Sequence, residues 1–325
     1  MAIMVTGSAG FIGAHVTSAL LARGETVIGI DNLNAYYDPV LKRDRLRALV
    51  KTDAFVPIEG DIAEPAVMTA ILDKHPIDRV VHLAAQAGVR HSIDHPEHYT
   101  HSNLAGHAAV LEFARRAGVS HLVYASSSSV YGANSSIPFS EADQTDNPVS
   151  FYGATKKACE IMSASYAHLY DLPQTGLRLF TVYGPWGRPD MAYMIFARKI
   201  IAGEPIDVFG EGDMGRDFTF IDDTVAGIIA ALDRPPAPPA TGGRPHRVFN
   251  LGNDRPESLG DLIGHLEALL GRKADRKLRP MQPGDVRRTW ADITLARKQL
   301  GYAPKTSLRD GLERFVDWYR KYYHA

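Results

Sequence analysis

Cysteine is nearly absent: Cys159 stands alone in 325 residues, so no intramolecular disulfide can form and the disulfide-stapled secreted scaffolds are excluded. It falls in a segment of helical pattern and reads as a small buried hydrophobe rather than a reactive thiol. Charge of one sign is also missing. Lys and Arg number 36 against 37 Asp and Glu, a formal charge of −1, and no positive field exists to recruit nucleic acid or a membrane surface. Neither partner is expected. No apolar run approaches the ~18 residues that a membrane span requires. The chain enters a strand at once, with no basic stretch before an apolar one, so no secretory leader is expected and the cytoplasm is the default compartment.

What is present fits a globular protein with a real core: 45% of residues are hydrophobic and 22% charged. The length exceeds the usual ~100–200 residues of one domain and predicts a large domain with a smaller one. Ile3–Thr6 is a short apolar strand, Gly7–Gly13 a glycine-rich turn, the next segment a helix to about Arg23, and Thr26–Ile30 a second strand. That is a βαβ unit, whose parallel strands are buried on both faces. The alternation continues with strands at Phe55–Ile58, Arg79–Leu83, His121–Ala125 and Gln174–Phe180. Helices are expected at Pro65–Lys74, Asn103–Ala117 and Tyr152–Tyr170. The pattern predicts an α/β fold, a doubly wound parallel sheet of the Rossmann type over residues 1–180. Its return strand should lie near 215–255. Past residue 181 prolines and glycines multiply, and Arg234–Pro239 reads as a surface loop, since proline fixes φ and lacks a donor. Residues 181–325, with a strand at Val248–Leu251 and a helix at Leu259–Leu270, should form a smaller α+β lobe over the sheet's carboxyl edge. No repeat of fixed period is visible.

The turn Gly7-Ser8-Ala9-Gly10-Phe11-Ile12-Gly13 follows the first strand and opens the first helix. Glycines are needed there for the tight turn, for backbone approach to a pyrophosphate, and for helix-on-strand packing. Free N–H groups at the helix start then favour the anion. Asp31 ends the second strand near the expected ~20 residues downstream, where a carboxylate bonds ribose hydroxyls and repels a 2′-phosphate. With no Arg at positions 32–34, NAD is expected over NADP. Asp61, followed by Ile62, would reach the adenine, and an ordinary strand-end Asp fits as well.

Tyr152 and Lys156 stand at i and i+4, on one helix face. A free Tyr, with a pKa near 10, is a poor base at neutral pH. A neighbouring ammonium favours the phenolate, so Tyr152 can take a proton from a substrate hydroxyl. Ser126–Ser129 follow a strand at the sheet's carboxyl edge and offer hydroxyls to the reacting oxygen. Other residues read as structural. His91, His95, His98 and His101 have the 3–4 spacing of a helical metal face, but no carboxylate or Cys set completes it. An exposed polar helix face is the expectation, and no metal. Trp290 and Trp318 read as packing residues.

The order GSAGFIG, LAAQAGVRHS, YASSSSVYG and YGATKKACE resembles the extended short-chain dehydrogenase/reductases that act on nucleotide sugars. The likeness runs the whole chain, through RLFTVYGPWGRPDMA and VFGEGDMGRDFTFIDD to MQPGDVRRTWAD. Within that superfamily DNLNAYYDPVLK, SSSSVYG and FTVYGPWGRPDM look like the UDP-glucuronate 4-epimerases. The resemblance implies that Gly7, Gly10, Phe11, Ile12, Gly13, Asp31, Asn32, Asp61, Ile62, Leu83, Ala84, Ala85 and Gln86 hold NAD with Tyr152 and Lys156. It implies catalytic roles for Tyr152 and Lys156, with Ser127 aligned to the catalytic hydroxyl and Ser128 and Ser129 beside it. Arg90, Ser127, Thr181 and Arg188 would meet the sugar, and Arg216 and Asp285 the UDP. Arg188 also reads as a surface arginine in a proline-rich loop.

The implied reaction is oxidation at C4, rotation of the 4-keto sugar, and return of hydride to its other face. Thr181 stands where UDP-galactose 4-epimerases carry Asn, and Gln282 where they carry Arg. Ser129 stands where the related decarboxylases and 4,6-dehydratases carry an acid. A UDP-glucose/UDP-galactose 4-epimerase and a UDP-glucuronate decarboxylase are the competing enzymes, and an NAD-sensing scaffold protein the non-enzyme alternative. Relatives pair as homodimers through two helices, here Asn103–Ala117 and Tyr152–Tyr170.

Overall fold

A computed structural model describes the chain except at residues 135, 213, 238–242, 282–285 and 325. In chain order the strands are β1 (Ala2–Thr6), β2 (Val27–Asp31), β3 (Phe55–Glu59), β4 (Ile77–His82), β5 (His121–Ser127), β6 (Gln174–Leu179), β7 (Thr181–Tyr183), β8 (Ile206–Phe209), β9 (Gly215–Phe220), β10 (His246–Leu251), β11 (Pro256–Ser258) and β12 (Arg276–Arg279). The helices are α1 (Phe11–Ala22), α2 (Pro39–Leu49), α3 (Pro65–Lys74), α4 (His91–Asp94), α5 (Pro96–Tyr99), α6 (Gly106–Ala117), α7 (Phe151–Tyr170), α8 (Ala192–Ala202), α9 (Ile221–Leu232), α10 (Leu259–Leu270), α11 (Thr294–Leu300) and α12 (Leu308–Tyr323).

The large sheet has the order β10-β6-β5-β4-β1-β2-β3, every pair parallel. Its logic is legible in β1. Ile3 and Val5 face one core with Val16 and Leu20 of α1, while Ala2 and Met4 face the other with Val110 and Leu111 of α6. Period-two alternation thus feeds apolar side chains to both faces, each worth about 1.5–3 kcal/mol when fully buried. The order reverses at β1, whose neighbours are β4 and β2, and this opens a crevice at the strands' carboxyl ends. β10 joins the sheet beside β6. The remaining strands make a three-stranded sheet, β11-β9-β7, and a pair, β12-β8.

Several boundaries differ from those that sequence periodicity predicts. The helix expected from Asn103 starts as a π-helical turn, Thr100–Ala105, and becomes α-helical at Gly106. β4 ends at His82, which leaves Leu83 in the loop beyond it. α2, α8, α9, α11 and α12 carry no expectation from the sequence. In α2 the reason is plain: it buries Leu41, Lys42 and Arg45, two of them charged, so no apolar stripe marks it. Arg234–Ala237 is irregular, as read, and Pro238 and Pro239 lie outside the described residues. Among the described residues no helix is long and apolar enough to cross a membrane.

Candidate active site

The crevice at the end of β1 is a cavity of about 240 Å³, and every residue expected to hold a dinucleotide lines it. The glycines are there for steric reasons. Gly7 has φ +70°, and a Cβ on it would lie 2.8 Å from the Ala84 backbone nitrogen. A Cβ on Gly13 would fall 1.9 Å from the Gly7 carbonyl oxygen, so helix and loop touch backbone to backbone. Gly10 caps α1 without a side chain. The first N–H groups of α1 therefore remain for an anion. Asp31 spans the loop, its carboxylate accepting from the Ala9 N–H at 3.1 Å and the Leu33 N–H at 2.9 Å. Asp61 accepts from the Asn32 amide at 3.0 Å and the Ala63 N–H at 2.8 Å, with the His101 ring at 3.3 Å. Burial pushes its carboxyl up, and these partners outweigh burial, so it sits below the ordinary carboxylate value. Gln86 Nε2 is buried with no partner among the described residues. A backbone cradle without room for a methyl group and an orphaned amide on the same wall fit a dinucleotide.

On α7, Ser150 Oγ caps the helix by accepting from the Gly153 N–H at 3.0 Å, which fixes the start of the turn bearing Tyr152. Tyr152 and Lys156 both line the cavity, and the Lys156 ammonium donates to the Ala125 carbonyl at 2.9 Å. Ser127 ends β5 and lines the same wall. Its Oγ accepts from the Ser129 N–H at 3.2 Å. Ser128 and Ser129 belong to the tight turn Ser128–Tyr131 and line neither this cavity nor its neighbour. Of the three serines expected from the sequence, Ser127 alone lines the cavity, because β5 ends there and the chain coils away.

A second cavity of about 580 Å³ adjoins the first, and Tyr36, Arg188 and Met191 line both. Arg90, Thr181 and Arg216 line the second, beside Arg188. The Arg90 guanidinium lies over the Phe209 ring at 4.9 Å. Asp285 lies outside the described residues, as does Gln282. Arg188 is not the surface arginine that its proline-rich surroundings allow. It meets Asp190 through Nε at 3.1 Å and an Nη at 2.6 Å, and the Tyr36 hydroxyl donates to the same carboxylate at 3.1 Å. Burial works against the Arg188 charge, and Asp190 outweighs it and raises the guanidinium's pKa. Burial, then Asp190, push the Tyr36 phenol up to about 12, so it stays a donor.

Sequence reasoning missed the groups that tie these walls together. Asn103, in the π-helical turn, accepts from the Gln86 N–H at 2.8 Å and donates to Gln86 O at 3.1 Å and Thr155 Oγ1 at 3.0 Å. It links the loop after β4 to α7. Arg45 is fully buried, and donates to Ala9 O, Trp186 O, Gly187 O and the Tyr37 hydroxyl. Behind the serine run Glu160 accepts from Ser126 Oγ at 2.6 Å and pairs with Arg178 at 2.9 Å. Lys42 lines the dinucleotide cavity and is held by Asn34. The motif context of DNLNAYYDPVLK was the one available signal for Lys42.

The histidines do not share one helix. The residue before a proline avoids the α region, so α4 ends at Asp94, His95 is non-helical (φ −133°, ψ 60°) and α5 starts at Pro96. A carboxylate also stands among them. His95, Glu97 and His98 bring one ligand atom each within 4.8 Å of one another. Trp318 packs against Trp186 and Phe315, and the Trp290 indole donates to Asp254 at 3.2 Å. Cys159 is buried and unpaired with another cysteine.

Comparison with known proteins places this geometry. Residues 3–252 match the NAD dependent epimerase/dehydratase family. UDP-glucuronate 4-epimerase 3 of Arabidopsis thaliana is 48% identical over 333 residues, covering 99% of this chain and 77% of that protein. Protein CapI of Staphylococcus aureus is 43% identical, with 99% of each chain covered. Among solved structures, UDP-glucuronic acid 4-epimerase from Bacillus cereus, in complex with UDP-glucuronic acid and NAD, has a TM-score of 0.91 at 36% identity, covering 99% of this chain and 100% of that one. UDP-glucose 4-epimerase from Thermotoga maritima, with UDP-glucose, has a TM-score of 0.88 at 32% identity over the same shares. The glycine cradle, the Tyr152–Lys156 pair and these full-length likenesses converge: the chain belongs to the NAD dependent epimerase/dehydratase family.

Proposed function

We propose that the protein interconverts UDP-glucuronate and UDP-galacturonate by epimerisation at C4, with NAD as its resident cofactor. The observation that carries this reading is the junction of the two cavities at Tyr36, Arg188 and Met191. One cavity presents Tyr152, Lys156 and Ser127, and the other presents Arg90, Thr181 and Arg216. A sugar at the junction has its 4-hydroxyl beside the first set and its carboxylate and UDP beside the second. NAD, when bound, supplies a reversible hydride acceptor at that sugar carbon. Tyr152 takes the proton of the 4-hydroxyl and later returns it, and Lys156, anchored on the Ala125 carbonyl, places a positive charge beside the phenol. Ser127 holds the reacting oxygen. Arg188 and Thr181 hold the carboxylate while the keto sugar turns.

Supporting the substrate are the relatives named for UDP-glucuronate at 48% identity, and the Bacillus cereus enzyme solved with it. A neutral-sugar 4-epimerase is the second reading, favoured by the likeness to the Thermotoga maritima enzyme. Arg188 and Arg90 on the sugar cavity favour the anionic sugar. We read residues 1–180, with β10 returning, as the NAD domain and 181–325 as the sugar lobe. The chain works in the cytoplasm as a homodimer paired through α6 and α7. Ile161 and Leu169 on α7, 59% and 62% exposed, support that pairing. The test is product analysis after incubation with UDP-glucuronate and, separately, UDP-glucose, without added NAD. UDP-galacturonate is expected from the first. Faster turnover of UDP-glucose, or a UDP-pentose as main product, overturns the assignment.

A further inference from the structure

Imidazoles crowd the outer wall of the sugar cavity. His91 lines that cavity beside Arg90, and its ring lies 4.5 Å from the His95 ring and 5.4 Å from the His98 ring. Glu97, just past the break at His95–Pro96, stands in the group. Glu97 Oε1 is 3.5 Å from His95 Nδ1 and 3.7 Å from His98 Nε2. Ligand atoms around a tetrahedral zinc ion, with bonds of about 2.0–2.2 Å, stand roughly 3.3 Å apart. Two edges of this triangle need only small contractions, which exposed side chains can supply. The far nitrogen of His98 is also placed as a ligand histidine needs it. A metal-bound imidazole donates its other N–H to an outer partner, which fixes the tautomer. His98 Nδ1 is 3.2 Å from His91 Nε2.

We propose that His95 Nδ1, Glu97 Oε1 and His98 Nε2 bind a divalent transition ion of the zinc class, with His91 as outer partner, and that the bound ion slows turnover. The coupling runs through the segment itself. Arg90 and His91 face the sugar cavity, Ser92 Oγ accepts from the Tyr152 N–H at 3.2 Å, and the Tyr99 ring meets the Tyr152 ring edge-on at 6.0 Å. An ion that clamps residues 95–98 therefore stiffens the wall against which Tyr152 and the sugar must move. Three protein ligands leave a fourth position for water, as in open zinc sites.

The binding half stands apart from the proposed epimerase activity, and the inhibition half rests on it. The test is calorimetric titration of the untagged, NAD-loaded protein with Zn²⁺, repeated with Co²⁺ to read the visible bands of a four-coordinate site. One equivalent should bind, and His98→Ala should weaken it at least about tenfold, since even outer-partner changes cost 10–100-fold. Zn²⁺ should lower kcat/KM with UDP-glucuronate in the native protein and leave the His95→Ala/His98→Ala variant, whose ion-free turnover is unchanged, unaffected. Zinc affinity equal in native and variant protein would overturn the site. Stoichiometric zinc without slower turnover of a substrate that the native protein does epimerise would overturn the coupling.

Discussion

Removing the Arg188 guanidinium should change which product leaves the enzyme. A C4-keto glucuronate is a β-keto acid, and it loses CO₂ when the C5–carboxylate bond aligns with the carbonyl π system. An epimerase must hold the carboxylate out of that alignment while the sugar turns. Arg188 stands where the two cavities meet, but its Nε and one Nη already bond Asp190 at 3.1 and 2.6 Å. Of five N–H donors, those on the end of the fork remain. A grip on the substrate carboxylate would therefore be end-on, with Asp190 and the Tyr36 hydroxyl bracing the guanidinium from behind. One or two charge-assisted bonds at roughly 1.5–3 kcal/mol each make Arg188→Ala cost about 10- to 10³-fold in kcat/KM for epimerisation. The fold should survive. The Arg188 and Asp190 side chains are 23% and 32% exposed, and so partly wetted a pair contributes little, about 1 kcal/mol. The assay follows nucleotide sugars by chromatography and enzyme-bound NADH by absorbance. UDP-galacturonate should fall, and a decarboxylated 4-keto pentose should appear with NADH left on the protein. Arg188→Lys should restore charge but not the braced geometry. Normal epimerisation by Arg188→Ala, with no keto-pentose, removes Arg188 from the site and reopens the choice of substrate.

Three further outcomes follow from the same geometry. Tyr152→Phe deletes only a hydroxyl and should lower kcat by at least ~10²-fold while leaving the copurified NAD in place, measured by turnover and by dinucleotide released on denaturation. Near-native turnover would show that Tyr152 is not the proton acceptor. Gly13→Ala puts a methyl 1.9 Å from the Gly7 carbonyl and should yield protein without copurified NAD, read in the same release assay. Burial holds His107 at about 3 and His121 and His246 at about 4, against an unfolded value near 6.5. The unfolded chain then binds more protons, so their stability is whole above about pH 6.5 and is lost as pH falls towards 4 and 3. Each contributes up to about 1.4 kcal/mol per pH unit. Denaturant unfolding at pH 7, 5.5 and 4.5 should show this slope, shallower in His107→Gln, and a flat profile refutes it.

What the sequence disclosed is what neighbours in the chain can encode. The glycine turn, Asp31, and the i,i+4 pair Tyr152 and Lys156 are local patterns with local physics, and the structure brings them to one cavity. Which serine of the run lines the cavity is not a local pattern: the strand end at Ser127 decides it. The histidine spacing presumes one helix, which Pro96 breaks, and Glu97 stands among the imidazoles. Asn103 was invisible as a tie because its partner Thr155 is 52 residues away. The charged residues of α2 carried no expectation, since nothing nearby in the chain says what they meet.

Arg45 is the clearest instance, and it bears on how the two cavities act together. Its guanidinium donates to Ala9 O in the glycine loop at 3.2 Å and to Trp186 O and Gly187 O, just before Arg188, at 2.8 and 3.1 Å. It also donates to the Tyr37 hydroxyl at 2.6 Å, and its side chain is fully buried. One planar group thus sets the spacing between the loop that cradles the dinucleotide and the loop that carries Arg188. Among the described residues no carboxylate bonds it, so carbonyl dipoles hold the charge. Arg45→Met strands three carbonyls, each costing about 1–3 kcal/mol when buried and unpaired, while relieving the burial of a charge. A net loss of about 3 kcal/mol is expected in denaturant unfolding. Arg45→Lys supplies three donors from a point and cannot span the same fork, so it should rescue less than half of that. Because the tie is shared, copurified NAD should fall and KM for UDP-glucuronate should rise in the same variant. A variant that loses NAD with an unchanged KM, or that unfolds within 0.5 kcal/mol of the native protein (about the scatter of a surface substitution), would mean that the two loops are held apart by something other than Arg45.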